Sequence, residues 1–153
     1  MLTVINLISS FGNLIISQTF NIFPSLIKVS ELNLLYVLFY DYDSKKTFIR
    51  GYNLNGLFFA QTDKNNNLQF NNISFTKYSN LVVGFYNSNE FHVLDASNLT
   101  KLFAGNKDTN ENKKGTKMIE YNYNTGEFYI LYNNQYIMMT LKEKDELRDF
   151  EAF

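Results

Sequence analysis

The chain contains one histidine and no cysteine, which limits at once the chemistry its polar residues can build. His92 cannot by itself make a multi-histidine or thiolate metal centre, and no second histidine is present to serve a nucleophile. It stands in the run Glu90 to Leu94 and is expected to be a strand residue near a sheet surface. Two acid pairs, Asp41 with Asp43 and Asp145 with Glu146, have the residue types of a general acid and base. Asp41 and Asp43, however, fall in a polar turn, where short carboxylates accept hydrogen bonds from nearby backbone amides. Gly51 and Gly56 lack the spacing, the following lysine and the following helix of a phosphate-binding loop. Asn72-Ile73-Ser74 and Asn98-Leu99-Thr100 fit the glycosylation pattern, which a chain this rich in asparagine produces by chance. The expectation is therefore no enzyme: no catalytic, cofactor-binding or metal site, and no cofactor.

The composition excludes more. Lysine and arginine total 14 against 15 aspartate and glutamate, giving a formal net charge of -1, so no one-signed field is available to attract a polyanion. Arginine occurs only at Arg50 and Arg148, which speaks against phosphate reading and nucleic-acid binding. Aromatic residues make up 17% of the chain, all Phe and Tyr with no Trp. Without basic residues interleaved, these rings are expected to pack a core rather than to stack bases. The apolar N-terminal stretch is broken by Asn6, Ser9, Ser10, Gly12 and Asn13, and no basic residue precedes Lys28. It reads as strand, turn and strand rather than as a targeting segment or membrane span.

The elements that must position any surface are strands. Short apolar runs occur at Leu26 to Val29, Leu34 to Tyr40, Thr47 to Tyr52 and Leu57 to Gln61, and again at Asn72 to Phe75, Leu81 to Tyr86, Glu90 to Leu94 and Leu99 to Phe103. Aligning the two passes puts Tyr36 over Val82, with Phe128 at the same offset again, a period of roughly 46 residues. Four strands per unit at that spacing describes a propeller blade of the WD-repeat kind. The run LLYVLFY, Leu34 to Tyr40, is apolar at every position instead of every second one, as expected of a strand covered on both faces. The expected fold is all-β: a partial propeller of about three four-stranded antiparallel blades in an incomplete ring. Units are placed at 3–20 (incomplete), 23–62, 70–103 and 116–141, the whole spanning 1–141. The polar run 104–115 reads as a loop, and 142–153 as a charged tail, either a short helix or frayed. A partial ring is also expected to expose apolar blade surface and to self-associate.

Three phrases carry a family resemblance: NIFPSLIKVS (Asn21 to Ser30), YNLNGLFFAQ (Tyr52 to Gln61) and LVVGFYNSNEFHVLDASNLTKLF (Leu81 to Phe103). In order, they resemble the last blades of the WD-repeat propeller that ends BEACH-domain scaffolds, and within these the neurobeachin and LPS-responsive beige-like anchor group. Phe23, Pro24, Leu26, Ile27, Val29 and Ser30 match the phrase that opens a blade in that family, and Asn53, Leu54, Asn55, Gly56, Leu57 and Ala60 approximate the turn into its fourth strand. Where Trp-Asp would mark a WD repeat, Tyr52-Asn53 and Leu94-Asp95 stand instead. The resemblance implies a non-catalytic protein-interaction scaffold in vesicle trafficking and protein localisation, cytoplasmic or peripheral on intracellular membranes through a longer protein. It also implies protein kinase anchoring for the group, in a region outside these residues. The chain is accordingly expected to be a C-terminal fragment of such a protein. The alternative is a small stand-alone β-barrel or sandwich binding an apolar ligand. If partners dock, the expected surface is the turns Asp41, Tyr42, Asp43 and Asn87, Ser88, Asn89, together with 104–115, because binding residues concentrate in loops held by a rigid scaffold.

Overall fold

The computed structural model describes residues 3–8, 14–20, 23–64, 67–76, 79–88, 90–106, 116–122, 124–125, 127–132, 135–143 and 150–152, with side chains described only within 24–131. The first sheet pairs β1 (Thr3–Ile8) with β2 (Leu14–Phe20). Three antiparallel meanders follow. The second sheet is β3 (Phe23–Val29), β4 (Leu34–Asp41), β5 (Lys46–Asn53) and β6 (Phe58–Gln61). The third is β7 (Phe70–Phe75), β8 (Leu81–Phe85), β9 (Glu90–Leu94) and β10 (Lys101–Asn106). The fourth is β11 (Thr116–Asn122), β12 (Glu127–Tyr132), β13 (Gln135–Glu143) and β14 (Phe150–Ala152). Strand β7 packs against both β3 and β11, so the first strands of successive four-stranded sheets converge, the radial arrangement of propeller blades.

Strand β4 explains why the sheets stack. Leu35, Val37 and Phe39 point to one face and Tyr36 and Leu38 to the other, and all five are buried. Tyr36, Leu38, Ile49 and Ala60 form one apolar layer with Ile73, Phe75, Leu81, Val83 and Phe85 of the third sheet. Leu35, Val37, Phe39, Phe48 and Tyr52 form a second cluster on the opposite face. In the third sheet Val82 and Val93 are paired and wholly buried on the face turned away from the first layer. Tyr36 and Val82, superposed by the sequence repeat, thus share one orientation within their sheets. Among the described residues, four sheets, three of them simple meanders, make neither the single closed sheet of a barrel nor the two layers of a sandwich. On β3, Ile27 and Val29 remain exposed, apolar area on the inner strand of the second sheet.

Several strand limits differ from the sequence expectation, each for a local reason. Leu57 is in the turn, not the strand, because the Asn53 carboxamide accepts from the Asn55 and Leu57 amides and closes the loop early. Leu99 likewise sits in a left-handed turn at φ 59. There Asp95 N donates to Thr100 O while Leu99 N donates to Asp95 O, so β10 starts only at Lys101 and continues to Asn106, into the run read as loop. The remainder of that run, 107–115, lies outside the described residues. The charged tail is also corrected: β13 continues to Glu143, and Phe150–Ala152 returns against Leu141 to Glu143 as a fourth strand. Residues 144–149 are outside the described set.

Candidate interaction site

The β4–β5 turn is built by Asp41. Its Oδ1 accepts from the amides of Asp43 at 3.1 Å and Ser44 at 3.5 Å, and Lys64 Nζ lies 3.8 Å from its other oxygen. Hydrogen bonding from the Ser44 side chain leads the causes that lower the Asp41 pKa; partial burial opposes it, and the Ser44 and Asp43 amides and Lys64 add to it. That is the environment of a turn carboxylate held ionised, not of a general acid. Tyr42 projects from the same turn, 64% exposed, with its ring edge-on to Tyr40 at 4.9 Å. Asp43 is exposed.

The β8–β9 turn is fixed differently. Asn87 Oδ1 accepts from Gln69 N at 2.9 Å and its Nδ2 donates to Asn67 O at 2.9 Å, so the side chain clamps the connection that enters β7. Ser88 Oγ accepts from Glu90 N at 3.1 Å, and Asn89 lies outside the described residues. The two turns occupy equivalent positions in neighbouring sheets. Between them, at the seam, is a cleft of about 450 Å³ lined by Tyr40, Tyr42, Thr47, Gln69, Phe70 and Tyr86 among others. Tyr86 is 70% exposed, and its amide donates to Gln69 O at 2.8 Å, fixing the backbone from which the ring projects. Of the described residues expected from sequence to form a docking surface, only Tyr42 lines this cleft; Asp41 and Asn87 support the backbone around it. The partnership of Tyr40 with Tyr86 was missed, although the two stand at the same offset as Tyr36 and Val82 in the repeat.

A second cleft, of about 360 Å³, lies between the outer parts of the same two sheets and includes Thr62, His92 and Leu99. His92 is buried rather than near the surface, 4.7 Å from the Phe85 ring, with Nε2 3.2 Å from Glu90 Oε2. Burial lowers its pKa below 6.5, with Glu90 opposing and Lys101 adding to the shift. The native state therefore holds the neutral imidazole where the unfolded chain, with an ordinary value of about 6.5, takes up a proton. Stability is expected to fall as pH drops from about 6.5 toward the lower native value and to level off below it. The urea midpoint should decline over that window, and His92→Gln should flatten the decline; an unchanged slope in the variant would assign the effect elsewhere. Among the described residues no group of His, Cys, Asp and Glu could hold a metal ion, and no helix is long and apolar enough to cross a membrane.

No protein-family model matches the sequence, and no curated protein matches it. Solved structures do. The β-propeller domain of Cps50 (Swd1) from Myceliophteria thermophila aligns with a TM-score of 0.66 at 13% identity, covering 90% of this chain and 47% of that one. A protein of unknown function from Bacteroides caccae aligns with a TM-score of 0.59 at 11% identity, covering 98% of this chain and 53% of that one. The chain spans about half the length of these two structures and has the β-propeller fold in partial form. At such identity the likeness establishes fold alone.

Proposed function

We propose that the chain is a non-catalytic propeller module that docks other proteins at the turn end of the seam between its second and third sheets. The observation that carries this is the cleft bounded by Tyr42 and Tyr86, two large amphipathic side chains left exposed at the mouth of an apolar seam. Tyrosine is enriched at interfaces because its ring supplies apolar contact at small entropic cost while its hydroxyl still bonds. The test is quantitative affinity capture from cell extract with the double variant Tyr42→Ala and Tyr86→Ala. Partners held by the wild-type chain should be largely lost by the variant and retained by Leu57→Ala, which alters a residue equally exposed in the opposite turns. Equal capture by both variants would refute the placement.

The finer reading is a portion of a BEACH-type scaffold in vesicle trafficking and protein localisation, cytoplasmic or peripheral on intracellular membranes through a longer protein. Its support is the ordered series of phrases from Phe23 to Phe103. Kinase anchoring belongs to the same reading and to parts of a longer protein. Sequencing of the native transcript is expected to find a BEACH domain encoded upstream; a product beginning at Met1 would contradict it.

A further inference from the structure

We infer that a second copy of this chain docks on the open face of β3, laying its fourth sheet there in a head-to-tail dimer. The inference goes beyond the docking role proposed above and does not depend on it. It starts from three isoleucines, Ile27, Ile73 and Ile119, spaced 46 residues apart on β3, β7 and β11. Each shares a face with its cross-strand partner, Val37, Val83 or Ile130, the face turned to the preceding sheet. Where that sheet has four strands the isoleucine is buried, 2% exposed at Ile73 and 1% at Ile119. Ile27 follows the two-stranded sheet and is 44% exposed, and Val29 is 49% exposed where its counterpart Phe75 is buried. Among the described residues neither β1 nor β2 packs on β3 as β3 packs on β7. This half of a seam is unmade.

The other half is on the fourth sheet. Ile73 lies in one apolar layer with Leu26, Tyr36 and Leu38, where Leu26 pairs with Leu38 and Lys28 with Tyr36. Strands β11 and β12 repeat that arrangement, pairing Met118 with Leu131 and Glu120 with Tyr129. Ile119, between them, is buried on the opposite face, while Met118 is exposed and Tyr129 and Leu131 are only partly buried. A polar contact extends the match. Across the seam that is made, the Tyr36 hydroxyl donates to Ala96 O. Ala96 follows Asp95, whose carboxylate accepts from the amide two residues on, as the Asn53 carboxamide does in the second sheet. The counterpart of Ala96 O is therefore Leu54 O, which accepts from no donor among the described residues. The counterpart of Tyr36 is Tyr129, whose hydroxyl turns back to Glu127 at 3.1 Å. One chain thus carries both surfaces of a further seam, with its own third sheet standing between them. Two copies related by a two-fold axis supply each surface to the other and leave none open to start a filament. Together they also amount to about the length of either similar structure, of which one copy covers 47% and 53%.

The test is sedimentation equilibrium of the full chain and of two charge variants, Ile27→Lys and Met118→Glu, each checked for its β-sheet circular dichroism. The wild-type chain is expected to be a dimer and each variant alone a monomer. Mixing the two variants should restore the dimer, because one seam then sets Lys against Glu while the other keeps Ile27 against Met118. The milder Ile27→Thr, which removes a buried methyl from both seams, should weaken the dimer about tenfold, and Tyr42→Ala should leave it unchanged. A wild-type monomer, whatever else binds at Ile27, would overturn the inference. So would open-ended assemblies, a dimer indifferent to both charge variants and to Ile27→Thr, or folded variants whose mixture stays monomeric.

Discussion

Replacing Tyr36 by alanine should destabilise the protein by about 3–5 kcal/mol, the range for deleting a wholly buried aromatic ring. Tyr36 joins the second and third sheets through both its ring and its hydroxyl, within the apolar layer they share. Its ring lies edge-on to Phe59 of its own sheet at 6.1 Å and tilted against Phe75 of the next at 5.6 Å. Its hydroxyl donates to Ala96 O across the seam at 2.8 Å. Burial, reinforced by Asp95, raises its pKa well above the ordinary value of 10, so at neutral pH the phenol is protonated and donates. Tyr36→Phe isolates the hydrogen bond, leaves the Ala96 carbonyl unpaired, and should cost about 1–2 kcal/mol. Urea unfolding of both variants checks the pair of values; a loss below about 1 kcal/mol for the alanine variant would mean that the seam does not hold the sheets together.

Gly105→Ala is expected to cost about 2–3 kcal/mol, and Gly51→Ala less. In each case an aromatic ring lies where the methyl would go. A Cβ at Gly105 would be 2.2 Å from Phe91 Cζ, and one at Gly51 would be 2.4 Å from Phe59 Cζ. The difference is in the ring's freedom to yield. Phe91 is fully buried, with Phe103 at a ring separation of 6.0 Å. Phe59 is only partly buried and can swing outward at the cost of its contact with Tyr36. Thermal melts of the two variants should therefore rank Gly105→Ala below Gly51→Ala, and shaving the ring, as in Phe59→Leu, should relieve the Gly51 clash. The reverse ranking would show that β10 gives way more easily than its buried partner implies.

The strands were legible in the sequence wherever apolar residues carried the whole signal. LLYVLFY is buried on both sides because stacking removes the solvated face that would impose alternation. What escaped were boundaries set by polar side chains. Asn53 and Asp95 close their turns through their own carboxamide and carboxylate, which moved Leu57 and Leu99 out of the strands their apolar character suggested. Gly105 looked like loop, but its missing side chain is what lets β10 pass over the Phe91 ring. The return of Phe150–Ala152 onto β13 is a long-range pairing with little local signature. At the candidate site, the turn chemistry of Asp41 and Asn87 identified loops, whereas the cleft arises between sheets. A seam brings together residues about one repeat apart, such as Tyr40 and Tyr86, and no local window contains both.

On the proposed function, partners meet this protein at the tyrosine end of the seam. The most direct measurement is site-specific photo-crosslinking in cells, with a benzophenone amino acid placed in turn at Tyr42, Tyr86, Leu32 and Leu57, all exposed positions. Discrete protein adducts are expected from positions 42 and 86 and none from 32 and 57 in the opposite turns. Adducts arising equally from both ends, or only from 32 and 57, would contradict it.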